Sequence, residues 1–109
     1  MGGGRRNFFS KKLNDSENSP GYREDDKDLI AEWKNRHTEK SVYVESVQEL
    51  RAVDLSSTDY LLGLFAPGHI AFYHEQEKDN DPSLEYMTEV SINMLKDHPE
   101  GYFLFIEGK

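Results

Sequence analysis

Cysteine is absent from this chain. That excludes a disulfide framework, a thiolate zinc site and a cysteine nucleophile, but leaves the compartment open, since many extracellular segments also lack cysteine. Basic charge is scarce: 13 lysines and arginines stand against 21 aspartates and glutamates, for a net charge of −8. Such a balance disfavours phosphate-backbone contact and adhesion to anionic membranes, so nucleic acid is not an expected partner. It suits a soluble chain, or one that gathers hard cations. Nothing approaches the ~18-residue apolar run of a membrane span. The opening Met1-Gly2-Gly3-Gly4-Arg5-Arg6 has no apolar stretch and does not read as a signal peptide. Arg6 also stands where a myristoylation motif wants serine or threonine. The four histidines, His37, His69, His74 and His98, show no i,i+4 pair and no HExxH pattern. No Ser/His/Asp set is legible from spacing, and there is no internal repeat.

What is present points to one domain at most, since 109 residues bury roughly 65% of their unfolded surface. The apolar groups are unevenly spread. Residues 1–28 hold only Met1, Phe8, Phe9, Leu13 and Tyr22 as sizeable apolar or aromatic groups. Such a stretch cannot offset its own ordering entropy and is expected to be an irregular, loop-like arm unless a partner covers it. From residue 29 onward the pattern becomes periodic. Asp26 to His37 reads as an amphipathic helix with Leu29, Ile30 and Trp33 on its apolar face, Trp33 as a core anchor, and acids before its N-terminus. Ser41-Val42-Tyr43-Val44 reads as a strand. Ser46-Val47-Gln48-Glu49 matches a capping box that opens a short helix presenting Val47 and Leu50.

Tyr60 to Phe65 is a continuous apolar run closed by Ala66-Pro67-Gly68, which predicts a buried strand ending in a turn. Residues 74–81 read as a solvated loop. A last helix is expected to start with Asp81 as N-cap and Pro82 in its first position. Its narrow face would be Leu84, Met87, Ser91, Met94 and Leu95, with Pro99 and Gly101 ending it. Tyr102 to Ile106 reads as a fully apolar strand. Strands separated by helices imply right-handed crossovers and a parallel sheet. The expected fold class is therefore α/β, a partial parallel-type sheet with packed helices. Two such strands cannot hide both faces unaided, so this reads as part of a larger sheet.

Several residues invite a chemical reading. Glu107 stands just beyond the carboxyl end of the last expected strand, where open α/β sheets place their ligands. A carboxylate there suits a hard cation such as magnesium, although one carboxylate is not a site. Asp81 and Glu17 are candidate calcium ligands, but an N-cap role accounts for the first and a polar loop for the second. Gly2-Gly3-Gly4-Arg5 has the composition of a phosphate cradle, without the helix such a motif requires next. Asn14-Asp15-Ser16 is a glycosylation sequon that matters only in a secreted chain.

Three stretches together resemble the middle of alkaline phosphatases: YLLGLFAPGHIAFY at 60–73, DPSLEYMTEVSINML at 81–95 and HPEGYFLFIEG at 98–108. GGGR at 2–5 and DLIAEW at 28–33 resemble the family too, in the same order and at matching separations. The resemblance covers nearly all of the chain and about a quarter of a family member. It implies a metal-dependent phosphomonoesterase fold, of which residues 29–109 would be an α/β fragment of a single larger catalytic domain. It implies magnesium and zinc as cofactors, a phosphate monoester substrate, a homodimer as full-length protein, and an extracellular or membrane-anchored cell-surface location. Glu107 aligns with the family's magnesium-binding glutamate, beside the paired zinc ions. Glu17, the backbone carbonyl of Phe65, and Asp81 align with ligands of a structural calcium site in animal members. The adjoining calcium glutamate of the family is Ala66 here, a departure expected to weaken or abolish calcium binding.

The family's serine nucleophile and a zinc aspartate lie upstream of GGGR, and the other zinc ligands follow the Glu-Gly-Gly-Arg that Glu107-Gly108 would open. Lys109 stands at the second of those glycines. The family mechanism is in-line attack by serine with a phosphoserine intermediate. This chain would contribute Glu107 and scaffold to it, and is expected to be inactive alone and to self-associate through exposed edges. The competing expectation is a small acidic non-catalytic module that binds calcium or a protein partner. Micromolar calcium affinity coupled to folding would favour that module.

Overall fold

The computed structural model describes residues 1–37, 39–76 and 81–108. Among them a short 3-10 turn at Arg5–Asn7 is followed by α1 (Leu29–Arg36), β1 (Ser41–Val44), α2 (Val47–Ala52), β2 (Tyr60–Gly63) and α3 (Leu84–Leu95). The expected α/β class with a parallel sheet holds: β1 and β2 pair in parallel, from Ser41 opposite Tyr60 to Val44 opposite Gly63. Parallel neighbours require a crossover, and α2 lies within it.

The entry to α2 is the capping box that its sequence announces. Ser46 Oγ accepts from the Glu49 amide at 3.2 Å, and the Glu49 carboxylate accepts from the Ser46 amide at 3.3 Å. Val47 and Leu50 are then turned inward. Ser46→Ala strands one helix donor, so we expect a loss of about 1 kcal/mol in urea unfolding. An unchanged midpoint would mean that burial alone holds α2.

Strand alternation decides the two sides of the sheet. Val42, Val44, Leu61 and Phe65 pack into one cluster with Leu50 of α2 and with Met87 and Val90 of α3. The intervening Tyr43, Leu62 and Leu64 pack on the other face against Phe8 and Phe9 of the arm and Ile30 of α1. Both faces of this small sheet are thus covered from within the chain, which the apolar count alone did not promise. The strand expected over Tyr60–Phe65 stops at Gly63. Beyond it the Leu64 amide still reaches the Val44 carbonyl at 3.0 Å, and Gly2 forms a parallel bridge to Leu64 on the opposite side.

Four further expectations need correction. Helix α1 starts at Leu29, with Asp28 as its cap accepting from the Ala31 amide at 2.9 Å, whereas Asp26 lies outside it at φ +57°. Trp33 is half-buried and belongs to neither core cluster; its ring lies 5.5 Å from that of His37. Helix α3 is capped by Ser83, whose Oγ accepts from the Tyr86 amide at 3.1 Å, and not by Asp81 with Pro82 in the first turn. Ser83 has the extended backbone (ψ 156°) that an N-cap requires. Leu84, expected on the apolar face, is exposed, and Val90 is buried instead.

Fourth, Tyr102–Ile106 forms no strand among the described residues, and Phe103 and Phe105 are 86% and 76% exposed. An apolar segment becomes a strand only where a neighbouring edge takes up its amides and carbonyls. No described segment lies hydrogen-bonded alongside it. Of the loop expected at 74–81, residues 77–80 lie outside the described residues.

Candidate functional site

A guanidinium organises the carboxyl end of the sheet. Gly4, at φ +80°, bends the chain into the 3-10 turn, and the amides of Gly4, Arg5 and Arg6 donate to the carbonyls of Gly68, Ala66 and Pro67. That seating drives the Arg5 side chain inward, where it is 1% exposed. Its Nε donates to Asp15 Oδ2 at 2.9 Å, its Nη1 to the Leu64 carbonyl at 3.1 Å, and its Nη2 to Glu17. Glu45, the first residue beyond β1, places Oε2 3.4 Å from Nη1.

Each carboxylate of this cluster has further donors. Asp15 Oδ1 accepts from the Glu17 and Ser19 amides at 3.0 and 2.8 Å. Glu45 accepts from the Tyr43 hydroxyl at 2.8 Å and from the Ser16 hydroxyl. Burial, with Glu45 as acceptor beside it, pushes the Tyr43 phenol far above its usual range. The glycine run does not form a phosphate cradle, since the Gly2 and Gly4 amides donate to the Gly63 and Gly68 carbonyls and the arginine faces carboxylates.

The same contacts tune Asp15. Burial alone would raise its carboxyl, but the Ser19 amide, the Arg5 guanidinium and the Glu17 amide outweigh it and hold the group below its usual value. A carboxyl depressed in the folded state stabilises the fold fully above its unfolded value, ~3.9, and that contribution disappears as pH falls through the depressed one. We therefore expect urea midpoints to drop below about pH 4, and Asp15→Asn to flatten that limb. An equally steep limb in Asp15→Asn would assign the acid sensitivity to other carboxylates.

The residues singled out in the sequence are dispersed. Glu17 meets Arg5 and is 61% exposed. Phe65 is buried, its amide donating to the Gly2 carbonyl at 2.8 Å. Asp81 is half-buried ahead of α3, and Ala66 offers only a main-chain carbonyl, which takes the Arg5 amide at 3.0 Å. Asn14 is exposed, with Nδ2 2.8 Å from Asn18 Oδ1. Glu107 is exposed on the lining of an open cleft of about 1010 Å³. Gly2–Gly4, residues 68–73, α3 and residues 104–108 form its walls.

Among the described residues no three histidine, cysteine or acidic side chains stand together to hold a metal ion. Glu107 fits a magnesium shell as one oxygen donor. The calcium donors fit poorly, with Glu17 committed to a guanidinium and no side-chain oxygen at 66. Sequence reasoning missed Arg5, Asp15 and Glu45 as one unit. The only local signal was the Asp15-x-Glu17 turn, whose aspartate accepts its own downstream amides.

The alkaline phosphatase family model matches this chain over residues 1–109. The chain belongs to the alkaline phosphatase family. It is similar to an alkaline phosphatase of Gadus morhua, 40% identical over 99% of this chain and 24% of that protein. It is also similar to a membrane-bound alkaline phosphatase of Bombyx mori, 39% identical over 99% of this chain and 20% of that one. A tissue-nonspecific alkaline phosphatase isozyme of Rattus norvegicus is 42% identical over 99% of this chain and 22% of its own length. The chain thus spans between a fifth and a quarter of these alkaline phosphatases. No helix among the described residues is long and apolar enough to cross a membrane.

Proposed function

We propose that this chain is a working segment of a metal-dependent hydrolase of phosphate monoesters, in which Glu107 is a magnesium ligand. The family match over the whole chain supports this most directly, and the position of Glu107 on a cleft wall at the end of an apolar segment agrees with it. Bound magnesium and zinc would supply charge stabilisation and an activated oxygen nucleophile in the whole enzyme. The residues of this chain position that chemistry. The arm and the turn after β2 lock together through Arg5, and α3 backs the cleft from which Glu107 projects. The serine nucleophile and zinc ligands of the family have no counterpart here, so the 109 residues alone are inactive. On the same reading the whole protein is an extracellular or cell-surface homodimer, and the isolated chain self-associates through its exposed 102–106 aromatics.

The test is a chimera in which this chain replaces the matching segment of the Gadus morhua relative. We expect p-nitrophenyl phosphate hydrolysis by the chimera and none by the 109-residue chain. Glu107→Gln in the chimera should weaken magnesium activation at least as much as the 10–100-fold typical of losing an outer partner of a metal ligand, about tenfold or more. A folded chimera whose magnesium dependence ignores Glu107→Gln would remove that residue from the site.

A further inference from the structure

We propose that Arg6 is an oxyanion-binding residue of the cleft, whose planar fork takes the carboxylate or phosphate of a small organic anion. Its main chain is fixed on both sides. The Arg6 amide donates to the Pro67 carbonyl at 3.1 Å, and the Arg6 carbonyl accepts from the Tyr22 amide at 2.7 Å. The guanidinium is held as well, since its Cζ lies 4.2 Å from the centroid of the Tyr22 ring in a cation–π contact. A Cβ on Gly68 would stand 3.5 Å from Cζ and Nη2 and 3.7 Å from Nη1, so a flat face of the fork covers that glycine. Neither contact uses an N–H. The neighbouring Arg5 has an acceptor on each of its three nitrogens, whereas among the described residues no oxygen accepts from the Arg6 side chain.

The surroundings indicate what those donors face. The chain carries 21 acidic residues, yet Glu107 is the one acid among the described residues that line the cleft, and it belongs to the wall of 104–108. On the wall of the arm and the turn after β2, Arg6 is joined by Asn7 and His69. Both are exposed, and each has an N–H to offer, the imidazole in either charge state. A guanidinium fork matches two oxygens of a carboxylate or phosphate at once. Ile70, Met87 and Phe105 in the same lining offer apolar surface to the body of such a ligand, and about 1010 Å³ is space enough for one.

The experiment is read without metal and without turnover, so an inactive chimera would leave it untouched. Phenylphosphonate, an oxyanion on an apolar ring that is not an ester, is titrated calorimetrically into the chelator-treated chain. Benzylamine, a similar ring with the opposite charge, is the control. We expect phenylphosphonate to bind one-to-one, benzylamine not to bind, and Arg6→Gln to weaken the phosphonate about tenfold or more. Arg6→Lys, which keeps the charge without the fork, should fall between, and melts of each variant separate loss of the site from loss of the fold. If the chain alone does not fold, the chelator-treated chimera takes its place and the change on Arg6→Gln is the readout. No phosphonate binding, equal affinity in Arg6→Gln or Arg6→Lys, or benzylamine binding as tightly would each overturn the proposal.

Discussion

Arg5→Met is expected to cost about 3–5 kcal/mol in urea unfolding, the range seen when one partner of a buried ion pair is removed. Methionine fills much of the volume and keeps the apolar stem, so the loss isolates the charge and its hydrogen bonds. What remains is Asp15, whose side chain is 2% exposed, with two amide partners and no cation. Glu17 matters less, because water already reaches it and exposed pairs contribute about 0–1 kcal/mol. A domain of this size has about 5–15 kcal/mol in all, so the variant should sit near the edge of folding at room temperature. The double variant Arg5→Met with Asp15→Leu should recover part of the loss, since removing both partners of a buried pair is often near neutral. A cost under about 1 kcal/mol for the single change would show that water enters the cluster and screens it.

Phe65→Ala is the second large effect, at about 3–5 kcal/mol. Phe65 is 5% exposed and joins Val44 and Leu50 to Met87 and Val90, so its ring bonds the sheet to both helices on that face. Gly63 makes room for it: a Cβ there would stand 2.6 Å from the ring's Cζ. A cavity opened at this place has a backbone strand on one side, which cannot collapse into it. The upper part of the range is therefore expected. Phe65→Leu should cost clearly less, and Phe103→Ala, on an exposed ring, should stay within about 0.5 kcal/mol. Equal losses at 65 and 103 would contradict the burial on which both expectations rest.

How much was legible in the sequence follows the range of each interaction. The α2 capping box needs only residues 46 to 49 and is legible there, as is the strand at Ser41–Val44 in its β-branched and aromatic residues. The parallel pairing followed from the helix between two apolar runs. The start of α3 was misplaced because Asp81 and Ser83 are both good caps flanking one proline, and only backbone geometry chooses between them. Tyr102–Ile106 has strand composition, but a strand is a relation to a neighbour, and no neighbour is named by the residues themselves. The Arg5 cluster was the least legible of all. Its members come from positions 5, 15, 17, 45 and 64, and a charged arginine beside glycines suggested a surface group binding an anion. The buried site appears only once the fold has brought those positions together.

The rung between Gly2 and Leu64 carries a consequence for synthesis. Arg5 and the Leu64 carbonyl it grips are 59 residues apart, so the first-made part of this chain cannot complete its contacts until β2 has been made. Contacts of such separation close slowly, because the intervening loop must be ordered first. In the interval Arg5 can find Asp15 and Glu17, which lie 10 and 12 residues away, and a local turn can hold the guanidinium near its eventual partners. The arm thus leaves the ribosome before the strand beside which it belongs and docks only after it, and Phe8 and Phe9 are exposed to chaperones until it does.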